Sequence, residues 1–168
     1  MKKVYWLTGL SGAGKTTIAK QVKKEYSGII ILDGDDLRLG INKDLGFTNN
    51  DRKENIRRVA EIAKLFILNN RNVIVSFISP TKEIRDLAKE IIGLENFIEI
   101  YVNAPIELCE RRDVKGLYKK VRAGKIKDFT GIDSPYEAPE DPDLELRTDI
   151  LSIEDSAEEI LDLIIDIS

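Results

Sequence analysis

Residues Gly9-Leu10-Ser11-Gly12-Ala13-Gly14-Lys15-Thr16 match the phosphate-binding pattern G-x-x-x-x-G-K-[S/T] at every fixed position. The pattern follows an apolar run at 4–8, which has the composition of a buried strand, and it opens a helical pattern over 15–26. A loop in this position directs backbone N–H groups and the start of a helix at phosphate oxygens. The predicted nucleotide-binding residues are Gly9, Leu10, Ser11, Gly12, Ala13, Gly14, Lys15, Thr16 and Thr17.

Two side chains at the end of this loop have predicted roles in phosphoryl transfer. Lys15 is expected to reach the β- and γ-phosphates, and the Thr16 hydroxyl is expected to ligate Mg²⁺. Kinases, GTPases and ATPases share this loop, so the loop alone predicts nucleotide binding and leaves the reaction open.

Short apolar runs alternate with helical patterns along the rest of the chain, which is typical of a parallel sheet covered by helices on both faces. We predict an α/β three-layer sandwich with a five-stranded parallel sheet, of the P-loop nucleoside-triphosphate hydrolase or nucleotide-kinase type, in a single domain spanning 1–168. The further predicted strands are 29–33, 73–78, 97–102 and 147–151, and the further predicted helices are 50–70, 82–92, 105–112 and 154–166.

Composition excludes several classes of function. The chain has 168 residues, of which 42% are apolar and 33% charged, and its net charge of −4 argues against a general nucleic-acid binder. It has no histidine, which excludes histidine acid/base catalysis, and its one cysteine, Cys109, excludes an intrachain disulfide. The apolar run before Gly9 is too short for a signal peptide and no apolar stretch is long enough for a membrane span, so we predict a cytoplasmic protein.

Two charged stretches interrupt the alternation before the last predicted strand. Residues 111–127 hold eight basic residues and one acidic residue, whereas 133–145 hold six acidic residues, no basic residue and three prolines. Neither has the pattern of a strand or a core helix. Together they predict a lid at about 111–145, and the alternative is a solvated surface loop.

Carboxylates follow the second predicted strand, at the edge where ligands bind in open α/β sheets. Asp33 and Asp35 are two residues apart, so an extended chain would project both side chains the same way. One of the two is predicted to hold Mg²⁺ through water, and the other to accept a hydrogen bond from an attacking hydroxyl. The alternative is an Asp-Gly turn with a helix cap at Asp35 or Asp36.

The helix predicted at 50–70 has an apolar stripe that continues toward its start with Arg52 and Asn55. Burying an unpaired arginine is costly, so this position predicts an anionic ligand. The alternative is an internal ion pair with Asp51 or Glu54.

Six sequence blocks resemble the adenylyl-sulfate kinase family in their order and spacing. The resemblance extends from about Val4 to Thr148, and several of these blocks are more specific than the phosphate loop. The blocks are LDGD at 32–35, DLGF at 44–47, DRKENIRR at 51–58, SFISP at 76–80, KGLYKK at 115–120 and FTGIDS at 129–134.

The resemblance implies an ATP-dependent phosphotransferase with an alcohol acceptor. Family members transfer the γ-phosphate of ATP to the 3′-hydroxyl of adenosine 5′-phosphosulfate, giving ADP and 3′-phosphoadenosine 5′-phosphosulfate for sulfate assimilation, with Mg²⁺ as cofactor. The implied catalytic residues are Lys15, Asp35 and Ser79, the last as a phosphoserine in bacterial members. The implied acceptor-binding residues are Asp35, Arg38, Phe47, Arg52, Asn55, Ile78, Ser79, Lys115 and Phe129.

Specific roles follow for four of these side chains. Phe47 and Phe129 would sandwich the adenine, and Arg38 and Arg52 would neutralise the phosphosulfate. The implied partners are small molecules, with no nucleic acid or membrane, and members are often homodimers.

Two other readings of the residues remain open at this point. Another small-molecule P-loop kinase, acting on a nucleoside monophosphate or a metabolite hydroxyl, would share Lys15, Thr16 and Asp35 but would not need the pair Phe47 and Phe129. A non-catalytic nucleotide switch would need neither an acceptor pocket nor a lid.

Overall fold

The strand that precedes the phosphate loop lies at the centre of a five-stranded sheet. All neighbouring strands pair in parallel, in the order β2-β3-β1-β4-β5. The predicted five-stranded parallel sheet is therefore confirmed. In this computed structural model, which describes residues 2–167, the strands are β1 (Val4–Thr8), β2 (Ile30–Asp33), β3 (Val73–Ser76), β4 (Phe97–Asn103) and β5 (Leu144–Arg147).

Helices cover both faces of this sheet. They are α1 (Lys15–Glu25), α2 (Gly34–Leu39), α3 (Asn49–Leu68), α4 (Lys82–Ile92), α5 (Ile106–Arg112), α6 (Leu117–Arg122) and α7 (Ile153–Ile167), with a 3₁₀ turn at Leu94–Asn96. Within residues 2–167, no helix is long and apolar enough to cross a bilayer.

Successive residues of β1 contribute to two different apolar cores, because side chains alternate along a strand. Tyr5 and Leu7 belong to the core that includes buried side chains of α1 and α7. Val4 and Trp6 belong to the core that includes buried side chains of α3 and α4. All five residues of β1 are buried, so the start of the phosphate loop is fixed at the centre of the molecule.

The last strand lies three residues earlier than predicted. Leu146 is fully buried and pairs with Val102, whereas the Arg147 carbonyl accepts hydrogen bonds from the backbone N–H groups of Ile150 and Leu151, so the chain turns after β5. The prediction missed the start of this edge strand because acidic residues surround Leu144 and only alternate residues of the strand are apolar.

Two short helices were not predicted. α2 follows β2 directly, and α6 lies in the basic stretch 111–127, where Tyr118 and Val121 are buried. The prediction that this stretch holds no core helix was wrong, because the apolar residues of a six-residue helix are too few to form a periodic pattern among eight basic ones.

Candidate active site

One cleft of about 1040 Å³ lies beyond the carboxyl ends of β1, β2 and β3. Residues 11–17 of the phosphate loop and α1 line it, and so do all nine residues predicted to bind the acceptor. Gly9 and Leu10, also predicted to bind nucleotide, lie outside this lining, and their carbonyls contact Lys15 instead. Residues spread from 11 to 156 in the sequence are thus brought to one site.

Glycine is required where the phosphate loop leaves β1. A Cβ atom at Gly9 would lie 2.3 Å from the backbone oxygen of Val102 in β4. Gly14, the residue before α1, has φ +112°, in the region that favours glycine. The loop therefore fits against the neighbouring strand only without side chains at these positions.

Lys15 is buried, with 8% of its surface exposed, and it bends back over the loop. Its Nζ atom donates hydrogen bonds of 2.8 Å to the carbonyls of Gly9 and Leu10. Burial lowers the pKa of Lys15 to about 8. The Lys15 ammonium forms no ion pair among the described residues, so its charge is available to an anion.

Thr16 and Asp33 form a contact between the phosphate loop and the edge of the sheet where β2 ends. The Thr16 hydroxyl donates to Asp33 Oδ2 at 2.6 Å and lies 3.1 Å from Ser76 Oγ. Asp33 Oδ1 accepts from the backbone N–H of Asp35 at 3.0 Å and so caps the start of α2. The alternative of a cap at Asp35 or Asp36 was wrong in position, since the capping residue is Asp33.

Asp33 and Asp35 contact different partners, contrary to the expectation from an extended chain. Because helix α2 begins at Gly34, the chain is not extended between the two carboxylates. Asp35 forms an ion pair with Lys115, which precedes α6, and both side chains are more than half exposed. Asp35 therefore faces the basic segment across the cleft, while Asp33 contacts the phosphate loop.

Two arginines contact neutral groups beside this ion pair. The Arg38 guanidinium lies 4.3 Å from the centre of the Phe47 ring and donates to the Leu45 and Gly46 carbonyls at 3.1 Å. Arg52 donates to the Phe47 carbonyl and to Thr130 Oγ1, each at 2.9 Å. Partial burial and the nearby Arg52 lower the pKa of Arg38.

The ion pair considered for Arg52 does not form. Glu54 pairs with Arg57 and Arg58 instead, and the carboxylate of Asp51 accepts from the Thr48 hydroxyl. The charge of Arg52 therefore faces the cleft with only neutral hydrogen-bond partners. Asn55 is buried, as its position on the stripe predicted, and accepts a hydrogen bond of 2.6 Å from Asn42.

The two aromatic residues of the acceptor side, Phe47 and Phe129, differ in how their rings are packed. Phe47 has 66% of its surface exposed, and its ring face is covered only by Arg38 among the described contacts. Phe129 packs edge-on against Tyr118, with 5.0 Å between ring centres, and the Tyr118 hydroxyl donates to the Ser11 carbonyl at 2.8 Å. Phe129 is thereby linked through α6 to the phosphate loop.

Ser79 lies on the wall of the cleft with its side chain turned into the protein. Only 2% of its surface is exposed, and its hydroxyl accepts a hydrogen bond of 2.9 Å from the Trp6 indole nitrogen. The Ser79 hydroxyl is therefore hydrogen-bonded inside the core and does not face the open cleft.

Sequence reasoning missed Arg112 and Thr148. The Arg112 guanidinium donates to the Gly12 carbonyl at 3.1 Å and to the Thr148 carbonyl at 2.6 Å, and Thr148 Oγ1 donates to the Ala13 carbonyl at 2.7 Å. Both residues line the cleft beside the phosphate loop. Arg112 was counted with the basic lid, and a lone threonine after a strand gives no signal of its own.

Comparisons with known proteins found relatives over almost the whole chain. The adenylylsulphate kinase family model matches residues 1–147. An adenylyl-sulfate kinase of Phocaeicola vulgatus is 55% identical over 166 residues, covering 96% of this chain and 81% of the relative.

The chain belongs to the adenylyl-sulfate kinase family.

Two solved structures of adenylyl-sulfate kinases share its fold. The APS kinase CysC of Mycobacterium tuberculosis, in complex with AMPPNP and APS, has a TM-score of 0.92, with 46% identity and coverage of 97% of both chains. A hexameric APS kinase from Thiobacillus denitrificans has a TM-score of 0.72 with 26% identity, covering 99% of this chain and 29% of that one. Membership in the adenylyl-sulfate kinase family makes this chain an ATP-dependent kinase, and the reading as a non-catalytic switch is set aside.

Proposed function

We propose that this chain transfers the γ-phosphate of ATP to the 3′-hydroxyl of adenosine 5′-phosphosulfate. The observation that carries the proposal is a single cleft that joins a phosphate loop to Asp35 and to two arginines whose partners are neutral. Excess positive charge opposite a phosphate loop favours a second substrate that is itself an anion.

ATP occupies the phosphate loop, with its β- and γ-phosphates at the start of α1. The phosphate oxygens replace the Gly9 and Leu10 carbonyls as partners of Lys15, which keeps the buried ammonium charged. Lys15 then offsets negative charge that spreads over the transferring phosphoryl group. Arg112 and Thr148 donate hydrogen bonds to the Gly12 and Ala13 carbonyls and so preserve the shape of the loop.

The oxygen atoms at Thr16 and Asp33 fit a magnesium ion. A hydroxyl and a carboxylate are the hard ligands that Mg²⁺ prefers, and Mg²⁺ takes most of its remaining ligands from water and phosphates. No group of three or more acidic or cysteine side chains forms a metal site within residues 2–167, which suits an ion bound mainly by its nucleotide. When bound, the ion would offset negative charge on the phosphates of the nucleotide. Thr16 would ligate it and Asp33 would orient its water.

Asp35 orients the acceptor hydroxyl in this proposal. Its carboxylate accepts the hydrogen bond of the 3′-hydroxyl and takes the proton late, as the new O–P bond forms and the bond to ADP breaks. Lys115, the partner of Asp35 in this structure, then moves onto the phosphosulfate of the acceptor.

The adenosine and phosphosulfate parts are held by different residues. Phe47 and Phe129 offer ring faces to the adenine, and Arg38 and Arg52 pair with the phosphosulfate. Asn55 and Ile78 complete the wall of the site.

Transfer is direct in this proposal, without a phosphoserine at Ser79. An in-line reaction needs positioning and charge neutralisation and no covalent intermediate. The enclosed Ser79 hydroxyl, bound by Trp6, supports this view.

Three wider predictions accompany the proposal. One domain spans 1–168 with a lid at about 111–145, the protein is cytoplasmic, and it forms a homodimer. Gel filtration with light scattering measures the last of these.

The deciding experiment is an ADP-release assay with Mg·ATP and adenosine 5′-phosphosulfate, beside a panel of nucleoside monophosphates and with product analysis. We expect 3′-phosphoadenosine 5′-phosphosulfate as the product and no comparable rate with the panel. Faster turnover of any nucleoside monophosphate would contradict the proposal and favour another small-molecule kinase.

A further inference from the structure

Ser79 has an unusual backbone conformation at the wall of the acceptor cleft. Its φ angle is +47°, in a region that residues other than glycine seldom occupy. Such a conformation persists only where neighbouring groups enforce it, and it is found preferentially at functional sites.

The carbonyl groups of Ile78, Ser79 and Pro80 accept hydrogen bonds from three separate parts of the chain. The Ile78 carbonyl accepts from the Thr8 hydroxyl at 2.6 Å, and the Pro80 carbonyl accepts from the backbone N–H of Glu137 at 2.7 Å. Between them, the Ser79 carbonyl accepts from Arg85 Nη1 at 2.9 Å. The Ser79 carbonyl is thus held mainly by a buried cation, and a longer contact of 3.3 Å comes from the Thr8 hydroxyl.

Arg85 is itself held by a charge pair inside the protein. Its Nε atom donates to Glu99 Oε1 at 3.0 Å, with 3% and 5% of the two side chains exposed. Lys89 contacts the other carboxylate oxygen, Glu99 Oε2, at 2.7 Å. Glu99 is the residue of β4 in register with Trp6 of β1, and Trp6 holds the Ser79 hydroxyl.

Stability alone is a weak reason for a buried ion pair, because desolvating two charges offsets most of their attraction. What distinguishes Arg85 is that a second nitrogen, Nη1, donates to the Ser79 carbonyl, outside the ion pair. The guanidinium can do both because its donors are arranged as a rigid fork.

We propose that Arg85, fixed by Glu99, is a positioning residue for the acceptor. It holds Ser79 in its strained conformation, so that Ile78 and Ser79 keep the shape of the cleft wall against which adenosine 5′-phosphosulfate lies. The inference rests on the proposed function, since it concerns the binding of that acceptor.

The test compares Arg85→Met with Lys89→Met. Both changes remove a cation that contacts Glu99, but only the first removes the hydrogen bond to Ser79. Initial rates are measured against adenosine 5′-phosphosulfate at saturating ATP and then against ATP at saturating acceptor. We expect Arg85→Met to raise the acceptor KM about tenfold and the ATP KM less than about twofold, and Lys89→Met to change either KM less than about twofold.

Arg85→Lys covers the case in which Arg85→Met does not fold. The lysine keeps a charge beside Glu99 but has one nitrogen in place of the fork, so we expect a smaller rise that is again confined to the acceptor KM. Ser79→Gly provides a second check, because glycine adopts φ +47° without strain. Adding Arg85→Lys to Ser79→Gly should then cost less than adding it to the native chain.

Three outcomes would overturn the inference. They are equal rises in both KM values, an effect of Lys89→Met as large as that of Arg85→Met, or an unchanged acceptor KM in soluble, folded Arg85→Lys. A wild-type protein without turnover of adenosine 5′-phosphosulfate would instead refute the proposed function itself, and this inference with it.

Discussion

The phosphate loop and the acceptor wall are held together in different ways. In the loop, Lys15 and Arg112 donate to backbone carbonyls of the loop itself, and glycines allow the chain to pass close to β4. On the acceptor side, the contact between Asp35 and Lys115 joins side chains that are distant in sequence and more than half exposed, whereas the wall at Ser79 is held by buried groups.

This difference has a physical consequence for each region. A loop held by buried backbone hydrogen bonds at the centre of the sheet opens only with the core, whereas exposed ion pairs contribute little stability and exchange readily. The loop is thus suited to keep one shape for ATP, and the pair of Asp35 and Lys115 is suited to exchange partners when a ligand binds. Five predictions test this contrast, in order of decreasing expected effect.

Lys15→Ala tests the rigid side of the contrast. We expect no measurable turnover, because the Lys15 ammonium offsets negative charge on the transferring phosphoryl group. Such interactions contribute several kcal/mol to catalysis. ADP release and circular dichroism should be measured together. Lys24→Ala, on the exposed side of α1, is the matched control and should keep native activity. Turnover of Lys15→Ala within about tenfold of the native rate would contradict the assignment of the loop.

Asp35→Asn tests the mobile side. We expect turnover to fall by roughly 10²–10⁴-fold, the range for a positioned acid/base group, while acceptor affinity stays the same or rises because a negative charge has gone. Calorimetric titration and turnover measure the two effects separately. Asp36→Asn removes an equal charge from the adjacent residue and should have a much smaller effect. Full activity of Asp35→Asn would shift the role to Asp33, and lost binding with an intact fold would make Asp35 a substrate-holding residue.

Phe129→Leu removes a ring from the acceptor wall while keeping an apolar contact with Tyr118. Stacking of a base on an aromatic ring contributes about 1–3 kcal/mol, so the acceptor KM should rise by roughly tenfold. The KM for ATP serves as the internal control and should stay unchanged. A rise in both values would mean that the link from α6 to the phosphate loop matters more than stacking.

Limited proteolysis tests whether the basic segment is a lid. Tyr118 and Val121 are buried in α6, so trypsin should cut mainly at Lys125 and Lys127, between Gly124 and Gly131. Mg·ADP with adenosine 5′-phosphosulfate should slow this cleavage, as expected when anions order a mobile basic segment. Cleavage at Lys23 and Lys24 in α1 is the control. Equal cleavage at 125–127 with and without ligands would favour the static surface loop.

Ser79→Ala should have the smallest effect. The variant loses one buried hydrogen bond, from the Trp6 indole, and should keep measurable activity because transfer is direct. Rapid-quench labelling with γ-labelled ATP would reveal a phosphoenzyme. A phosphoserine at position 79 that passes its phosphate to acceptor at a competent rate would refute direct transfer.

The same contrast explains how much the sequence predicted. The loop from Gly9 to Thr16 acts through its own backbone, so a local pattern was sufficient, and the strands at the centre of the sheet are continuous apolar runs that are equally easy to detect. The edge strand β5 was misplaced because only one side of it is apolar.

Beyond Asp35, Arg52 and Asn55, the acceptor wall could be predicted only through the family resemblance. No local pattern indicates that Arg52 contacts Thr130 or that Trp6 holds Ser79, because these contacts join positions 78 and 73 residues apart. The different orientations of Asp33 and Asp35 were missed for a local reason, since the start of α2 rests on a single capping hydrogen bond.

The ion pair between Lys115 and Asp35 also bears on unproductive hydrolysis of ATP. In this structure, the carboxylate proposed to orient a nucleophile is paired with an ammonium group 80 residues further along the chain. A water molecule beside bound ATP then has no free carboxylate at Asp35 to accept its proton. In the proposed reaction, an acceptor that draws Lys115 away would release Asp35, so arrival of the acceptor and activation of its hydroxyl would coincide, and ATP bound alone would be protected from water.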